Sequence, residues 1–242
     1  AAAVGREIRV VGNDAGEQLS ILAGTLARLD RRAPDYGRGK YNDFNTFYYQ
    51  AASSTSGGSS GSPVINIEGQ VVALNAGANS GAASSFFLPL DRIERALKLI
   101  QDGMPVTRGT LQTIFISNPY DELRRLGLSE ESEALARKAN PLATGMLSVQ
   151  QVIPESAADN VLQVGDVLLR VNGELITEFV PLAAILDEQV GNEITIEVER
   201  GGKPLRASIP VDDLHGITPD EYLEFGDAIV NDLSYQQARH YN

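Results

Sequence analysis

The chain contains no cysteine and no tryptophan, and its two histidines, His215 and His240, both lie in the last thirty residues. Without cysteine there can be no disulfide framework and no thiolate metal site. No cluster of carboxylates and histidines has metal-ligand spacing, so neither a metal nor another cofactor is expected. No apolar run is long enough to span a bilayer, and the start has none of the charged, apolar and small-residue order of a signal peptide, so no membrane partner is expected. Basic residues are scarce as well. The formal net charge is −12, with 10 Lys and Arg against 9 Asp and Glu in residues 1–100 but 10 against 23 in residues 101–242. A chain with no basic stripe cannot neutralise phosphates, which excludes nucleic acid as a partner. The acidic excess reads as a solvated surface. What remains is a globular composition of 242 residues, enough for two modest domains with a core each.

One stretch stands out: Ser53-Ser54-Thr55-Ser56-Gly57-Gly58-Ser59-Ser60-Gly61-Ser62-Pro63. Composition alone suggests a flexible linker. The flanks contradict this, because Phe44 to Gln50 and Val64 to Asn75 both read as β-structure and the strand pattern resumes directly at Pro63. The run is therefore expected to be an active-site loop. Two nucleophile motifs compete for it. Gly57-Gly58-Ser59-Ser60-Gly61 fits G-x-S-x-G and would choose Ser59, but that motif requires a helix after the turn, and Pro63 with the β-branched residues behind it forbids one.

Along the chain, Glu7 to Val11 and Leu19 to Asp30 read as strands joined by turn chemistry at Asn13 to Gly16, and a hairpin turns at Glu68-Gly69. A helix from about Leu90 carries Ile93, Ala96, Leu97 and Ile100 at helical spacing and stops at Gly103. After a connector with Pro105, a second unit shows a strand from Thr110 to Ser117 and charged helical sequence from Asp121 to Ala139. A strand from Gly145 to Ile153 follows, then Gly165-Asp166-Val167-Leu168 with Val171-Asn172-Gly173, a helix near Pro181 to Val190, and two strands about Gly201-Gly202. In the tail, Thr218-Pro219-Asp220-Glu221 is a capping box with proline at the first helical position and predicts a helix there.

Gly58-Ser59-Ser60-Gly61-Ser62-Pro63 resembles the G-x-S-G-G-P loop of trypsin-like serine proteases, with Ser62 at the second glycine. Read with Gln50, with Gln70 to Asn75, and with Phe86-Phe87-Leu88-Pro89-Leu90, the loop looks like that of the HtrA family. Arg9-Val10-Val11-Gly12-Asn13-Asp14 and Tyr41 to Thr46 are most similar to its fungal nuclear, pro-apoptotic branch. The resemblance implies a mainly β fold: the second β-barrel of a trypsin-like protease over 1–103, an α+β PDZ domain over 104–212, and a linker with a short helix over 213–242. It makes Ser60 the nucleophile, and the backbone N–H groups of Gly58 and Ser60 the oxyanion hole. It puts Ser54 at the base of the primary specificity pocket, with Asn75, Ala76 and Gly77 as its wall. In the PDZ-like unit, Thr110, Leu111, Gln112 and Thr113 take the place of the carboxylate-binding loop, while Leu182, Ile185, Leu186 and Gln189 form the helix wall. About half of these apolar positions are expected to be core residues.

The implied partners are protein and peptide substrates, C-terminal peptides at the PDZ unit, the absent first barrel of the protease, and further copies of the chain. The implied compartment is the nucleus, with cytoplasm and mitochondrion as alternatives. The family's catalytic order is His, Asp, Ser, and no histidine precedes Ser60. His215, His240, Lys40 and Lys98 are poor substitutes for the base, being near a chain end or in charged surroundings. The expected function is therefore that of a piece of an HtrA-like serine endopeptidase, itself inactive, acting in protein quality control, stress response or apoptosis. The alternative is a non-catalytic peptide-binding module on a protease-like scaffold.

Overall fold

A computed structural model of the chain describes residues 2–16, 18–32, 47–53, 55–79, 84–234 and 237. A first compact unit closes at Val106 and a second opens at Thr107.

The first unit is a closed six-stranded barrel built from β1 (Glu7–Gly12), β2 (Ser20–Arg32), β3 (Phe47–Ala52), β4 (Pro63–Asn66), β5 (Val71–Asn79) and β6 (Ser84–Pro89). The strands follow the circular order β1-β2-β3-β6-β5-β4, each antiparallel to its neighbour, and β4 returns to β1 through Val10↔Val64. Alternation sets the inside: Ile8 and Val10 of β1, and Tyr49 and Ala51 of β3, point one way at a period of two, and meet Leu26, Val64, Ala73 and Phe87 in the barrel core. Helix α1 (Leu90–Gln101) follows β6 and ends before Gly103, whose φ of +69° suits glycine. Its predicted apolar face is only partly used. Ile93 and Ala96 are half-buried while Leu97 and Ile100 stay exposed.

The second unit contains β7 (Gly109–Thr110), β8 (Thr113–Pro119), α2 (Tyr120–Leu126), α3 (Glu130–Ala139), β9 (Gly145–Val152), β10 (Val167–Val171), β11 (Glu174–Leu175) and α4 (Phe179–Glu188). It goes on through β12 (Glu193–Arg200), β13 (Lys203–Pro210), β14 (Asp212–Asp213), β15 (Leu223–Phe225) and β16 (Ala228–Val230). Its main sheet runs β13-β12-β10-β9-β8, with β11 beside β10, and β8 is an edge strand paired only with β9 among the described residues. Phe115, Leu147, Val149, Leu168, Val171, Ile194, Ile196 and Ile209 of the sheet pack with Leu182 and Leu186 of α4 in one core.

Three ion pairs brace elements of the second unit. Asp166 is fully buried and accepts two bonds of 2.7 Å from the Arg200 guanidinium, while its carboxylate also takes the Gln163 N–H. The Gly165-Asp166 step thus fastens the start of β10 to the end of β12. Glu133 of α3 bridges Arg124 of α2 and Arg137 of its own helix. The Arg124 hydrogen bonds are the main reason its carboxyl is held down to about 2.

The predicted helix after Thr218 is absent. Leu214–Ile217 forms a single 3-10 turn, Thr218 Oγ1 donates back to the Leu214 carbonyl, and the chain continues into the β15–β16 hairpin across Gly226-Asp227. A capping box supplies only a start signal. Gly226, at φ +60°, interrupts the residues behind it and makes a two-residue hairpin turn available.

Candidate active site

The loop between β3 and β4 is gripped from two strands and one turn of the barrel. At its start, the Ser85 hydroxyl of β6 donates to the Ser53 carbonyl at 3.1 Å and accepts from the Thr55 N–H at 3.2 Å. At its end, Asn75 of β5 exchanges main-chain bonds with it, Gly61 N–H to Asn75 O at 2.7 Å and Asn75 N–H to Ser62 O at 2.8 Å. The Asn75 side-chain amide adds a bond of 2.8 Å to the Ser59 carbonyl. The third grip is Asp14, in the turn between β1 and β2. Its Oδ1 accepts from Ser56 N–H at 2.8 Å, Ser56 Oγ at 3.2 Å and Ser59 Oγ at 2.8 Å, and its Oδ2 accepts from Ser20 Oγ at 3.1 Å. Ala15 N–H returns a bond to Gly57 O at 2.8 Å.

These bonds separate the two serines. Ser59 is fully buried with its hydroxyl turned to Asp14, and a strand rather than a helix follows the loop, so the arrangement does not fit G-x-S-x-G. Ser60 is exposed. The main chain shows the same division. The N–H groups of Ser59, Gly61 and Ser62 bond to Ser56 O, Asn75 O and Ser59 O. Among the described residues those of Gly58 and Ser60 have no acceptor. Gly58 sits at φ +104°, and a Cβ there would overlap the Asn13 carbonyl oxygen, so the turn of Asn13 to Gly16 acts as the mould for this part of the loop.

Burial is the largest single influence on the Asp14 carboxyl and pushes it up. The Ser56 N–H and the hydroxyls of Ser59, Ser20 and Ser56 together outweigh it, and hold the group below the usual carboxylate range. In the sequence Asp14 is hidden, because turn chemistry alone accounts for an aspartate in Asn13 to Gly16. The signal that could have found it is the serine-rich loop itself, which brings more hydroxyl donors than a solvent-facing turn requires.

Asn75 differs from its expected place as a pocket wall: it is buried, and its side chain braces the loop from inside the barrel. Ala76 is exposed at a register shift between β5 and β6, and Gly77 lies against the Phe86 ring. Ser54, Lys40 and His240 lie outside the described residues. His215 belongs to the second unit, where its N–H bonds to Asp213 Oδ1, and Lys98 is exposed on α1.

In the second unit, Leu111, Leu182 and Leu186 are core residues, Thr110 and Thr113 are fully buried, and Ile185 and Gln112 remain partly accessible. The close approach of α4 to β7 depends on Gly109, where a Cβ would overlap the Leu186 carbonyl.

Two outcomes test the loop. Gly57 has ordinary φ and open space, so Gly57→Ala should change stability by less than about 0.5 kcal/mol, whereas Gly58→Ala should cost about 1–3 kcal/mol in denaturant unfolding. Because the Asp14 carboxyl is depressed, its grip is complete above the unfolded-state value and is lost as pH falls through the folded one. Amide-exchange protection at Ser56 should therefore be present at neutral pH and disappear in acid, and Asp14→Asn should remove that pH dependence.

The sequence profile of the trypsin-like peptidase domain matches residues 1–74, and that of the PDZ domain matches residues 148–200. Over all 242 residues the chain is 60% identical to the pro-apoptotic serine protease NMA111 of Ajellomyces capsulatus, covering 23% of that protein. It is 56% identical to Protease Do-like 7 of Arabidopsis thaliana, again covering 23% of it. A solved structure, the HtrA-type protease AlgW with tripeptide, superposes with a TM-score of 0.52 at 21% identity, over 87% of this chain and 66% of that one, which concerns the fold alone. The first unit thus matches a trypsin-like peptidase domain and the second a PDZ domain, and the chain along its whole length is similar to about a quarter of a fungal pro-apoptotic serine protease.

Proposed function

We propose that this chain carries the nucleophile side of an HtrA-like serine endopeptidase site, with Ser60 as the nucleophile. The observation that carries the reading is the loop's asymmetry. Ser60 is exposed and flanked by bonded N–H groups, while the N–H groups of Gly58 and Ser60 have no acceptor among the described residues. In the reaction, Ser60 Oγ forms a bond to the scissile carbonyl carbon as a base takes its proton. The carbonyl oxygen becomes an oxyanion held by the two N–H groups. Collapse then breaks the C–N bond and the amine leaves with that proton. Water releases the acyl group in a second, equivalent round.

The histidine and aspartate are assigned to a part of the parent polypeptide outside this chain, which spans 23% of the relatives' length. A serine hydroxyl without a base is a weak nucleophile, so the chain by itself is inactive. The second unit serves as a docking site for extended peptide at the β8 edge, in keeping with its PDZ match and with the peptide carried by AlgW. The name of the fungal relatives, pro-apoptotic serine protease, supports apoptosis as the setting, whereas protein quality control and the nucleus rest on the family resemblance alone.

Fluorophosphonate labelling tests the assignment. The isolated chain should not label. The parent protein should label stoichiometrically at Ser60 and lose labelling in Ser60→Ala; modification of Ser59, or labelling of this chain that survives His215→Ala and His240→Ala, would overturn it. The resemblance assigns Ser54, and no acid, to the base of the specificity pocket, so digestion of a peptide library by the parent protein should show cleavage after small or medium apolar residues; dominant cleavage after Arg or Lys would reject that pocket.

A further inference from the structure

The loop between β7 and β8 is built from two residues, Leu111 and Gln112, and Gln112 is the unusual one. Its φ of +51° lies in the left-handed region, where a side chain is strained and glycine is not. A glutamine held there needs compensating bonds, and it has three. Its N–H donates to Thr110 Oγ1 at 2.9 Å, its carbonyl accepts from Ile153 N–H at 2.9 Å, and its side-chain amide donates to Asp212 Oδ2 at 3.0 Å. The main-chain donor that this residue would offer an incoming anion is therefore already engaged.

The charge around the loop points the same way. Asp212 stands beside it because β14 pairs with β7 in the register Asp212↔Thr110. Asp213 accepts from Arg108 N–H at 3.2 Å, and Asp187, at the end of α4, accepts from Gly109 N–H at 2.8 Å. The guanidinium of this cluster, Arg108, is bound to Asp187 at 2.7 Å. Three carboxylates thus surround the loop against one guanidinium, which is itself paired. A peptide's terminal carboxylate placed here would meet like charge and one donor fewer.

The remaining recognition surface suits neutral main chain. The edge of β8 is free of a second partner strand among the described residues, and Leu111, Leu182 and Leu186 are buried in the core. From this we infer that the β8 edge takes internal extended segments of a polypeptide, lacking a terminal carboxylate, and discriminates against free C-termini through Gln112 and Asp212. The inference rests on the peptide-docking role proposed above.

The experiment uses the whole chain and one fluorescein-labelled, valine-rich extended peptide in three forms: free acid at its C-terminus, C-terminal amide, and the same sequence extended at both ends by Gly-Ser. The amide and extended forms should bind about tenfold more tightly than the acid. The gap should shrink with added salt, and in Asp212→Asn and Gln112→Gly, because both the repulsion and the occupied donor oppose only the acid form. Equal or tighter binding of the acid in the wild-type chain overturns the inference and leaves peptide docking intact. Failure of all three forms to shift any amide of β8 overturns the docking role and the inference with it.

Discussion

A single carboxylate in a tight turn holds the candidate site together. The Oδ1 of Asp14 collects three donors from the serine loop, and two of them come from Ser56. Hydrogen bonds to a charged acceptor are worth roughly 1.5–3 kcal/mol each at best, less where solvent competes. Their larger effect here is geometric. With Ser59 Oγ committed to Asp14 and Ser59 O committed to Asn75 Nδ2, the peptide unit on either side of Ser60 has its orientation set by the barrel. The composition of the loop follows from this. Serines at 56 and 59 are the donors, glycine at 58 avoids the Asn13 carbonyl, and Ser60 is left over and exposed.

The barrel that supplies these grips was legible because alternation with a period of two survives in almost every strand. Ile8, Val10, Tyr49 and Ala51 fall on one face, and the hairpin at Glu68-Gly69 fixes where β4 must turn back. That a strand and not a helix follows the serine loop was legible too, from Pro63 with the β-branched residues behind it. The Asp14 network was not, because a turn aspartate reads the same whether it faces water or a loop forty residues on. Asn75 failed differently. Motif resemblance names a position and says nothing about which way its side chain faces, and burial decided that.

In the second unit, the Gly165-Asp166 and Asn172-Gly173 steps announced the ends of β10, and Asn172 and Gly173 both take the positive φ that a two-residue turn needs. In the tail, the start signal of the capping box at Thr218 is outweighed by the turn that follows it. Tyr222, Leu223, Phe225, Ile229 and Val230 are exposed on a short hairpin, and the Gly226-Asp227 dipeptide was the stronger local signal.

On the proposed reading, the two requirements of acyl transfer are met by separate stretches of chain. Stabilising an oxyanion needs donors fixed in advance, and in this chain their fixing depends on bonds from β5, β6 and the β1–β2 turn, all within the first unit. Activating the hydroxyl needs a base near Ser60, and no histidine precedes that residue. A preorganised hole without a base retains only the residual part of catalysis, several orders of magnitude below a complete triad. It follows that control over such an enzyme need not distort the oxyanion loop. Moving the element that bears the base away from Ser60 would suffice, and the loop, tied to its own barrel by Asp14, Asn75 and Ser85, would be ready when that element returned.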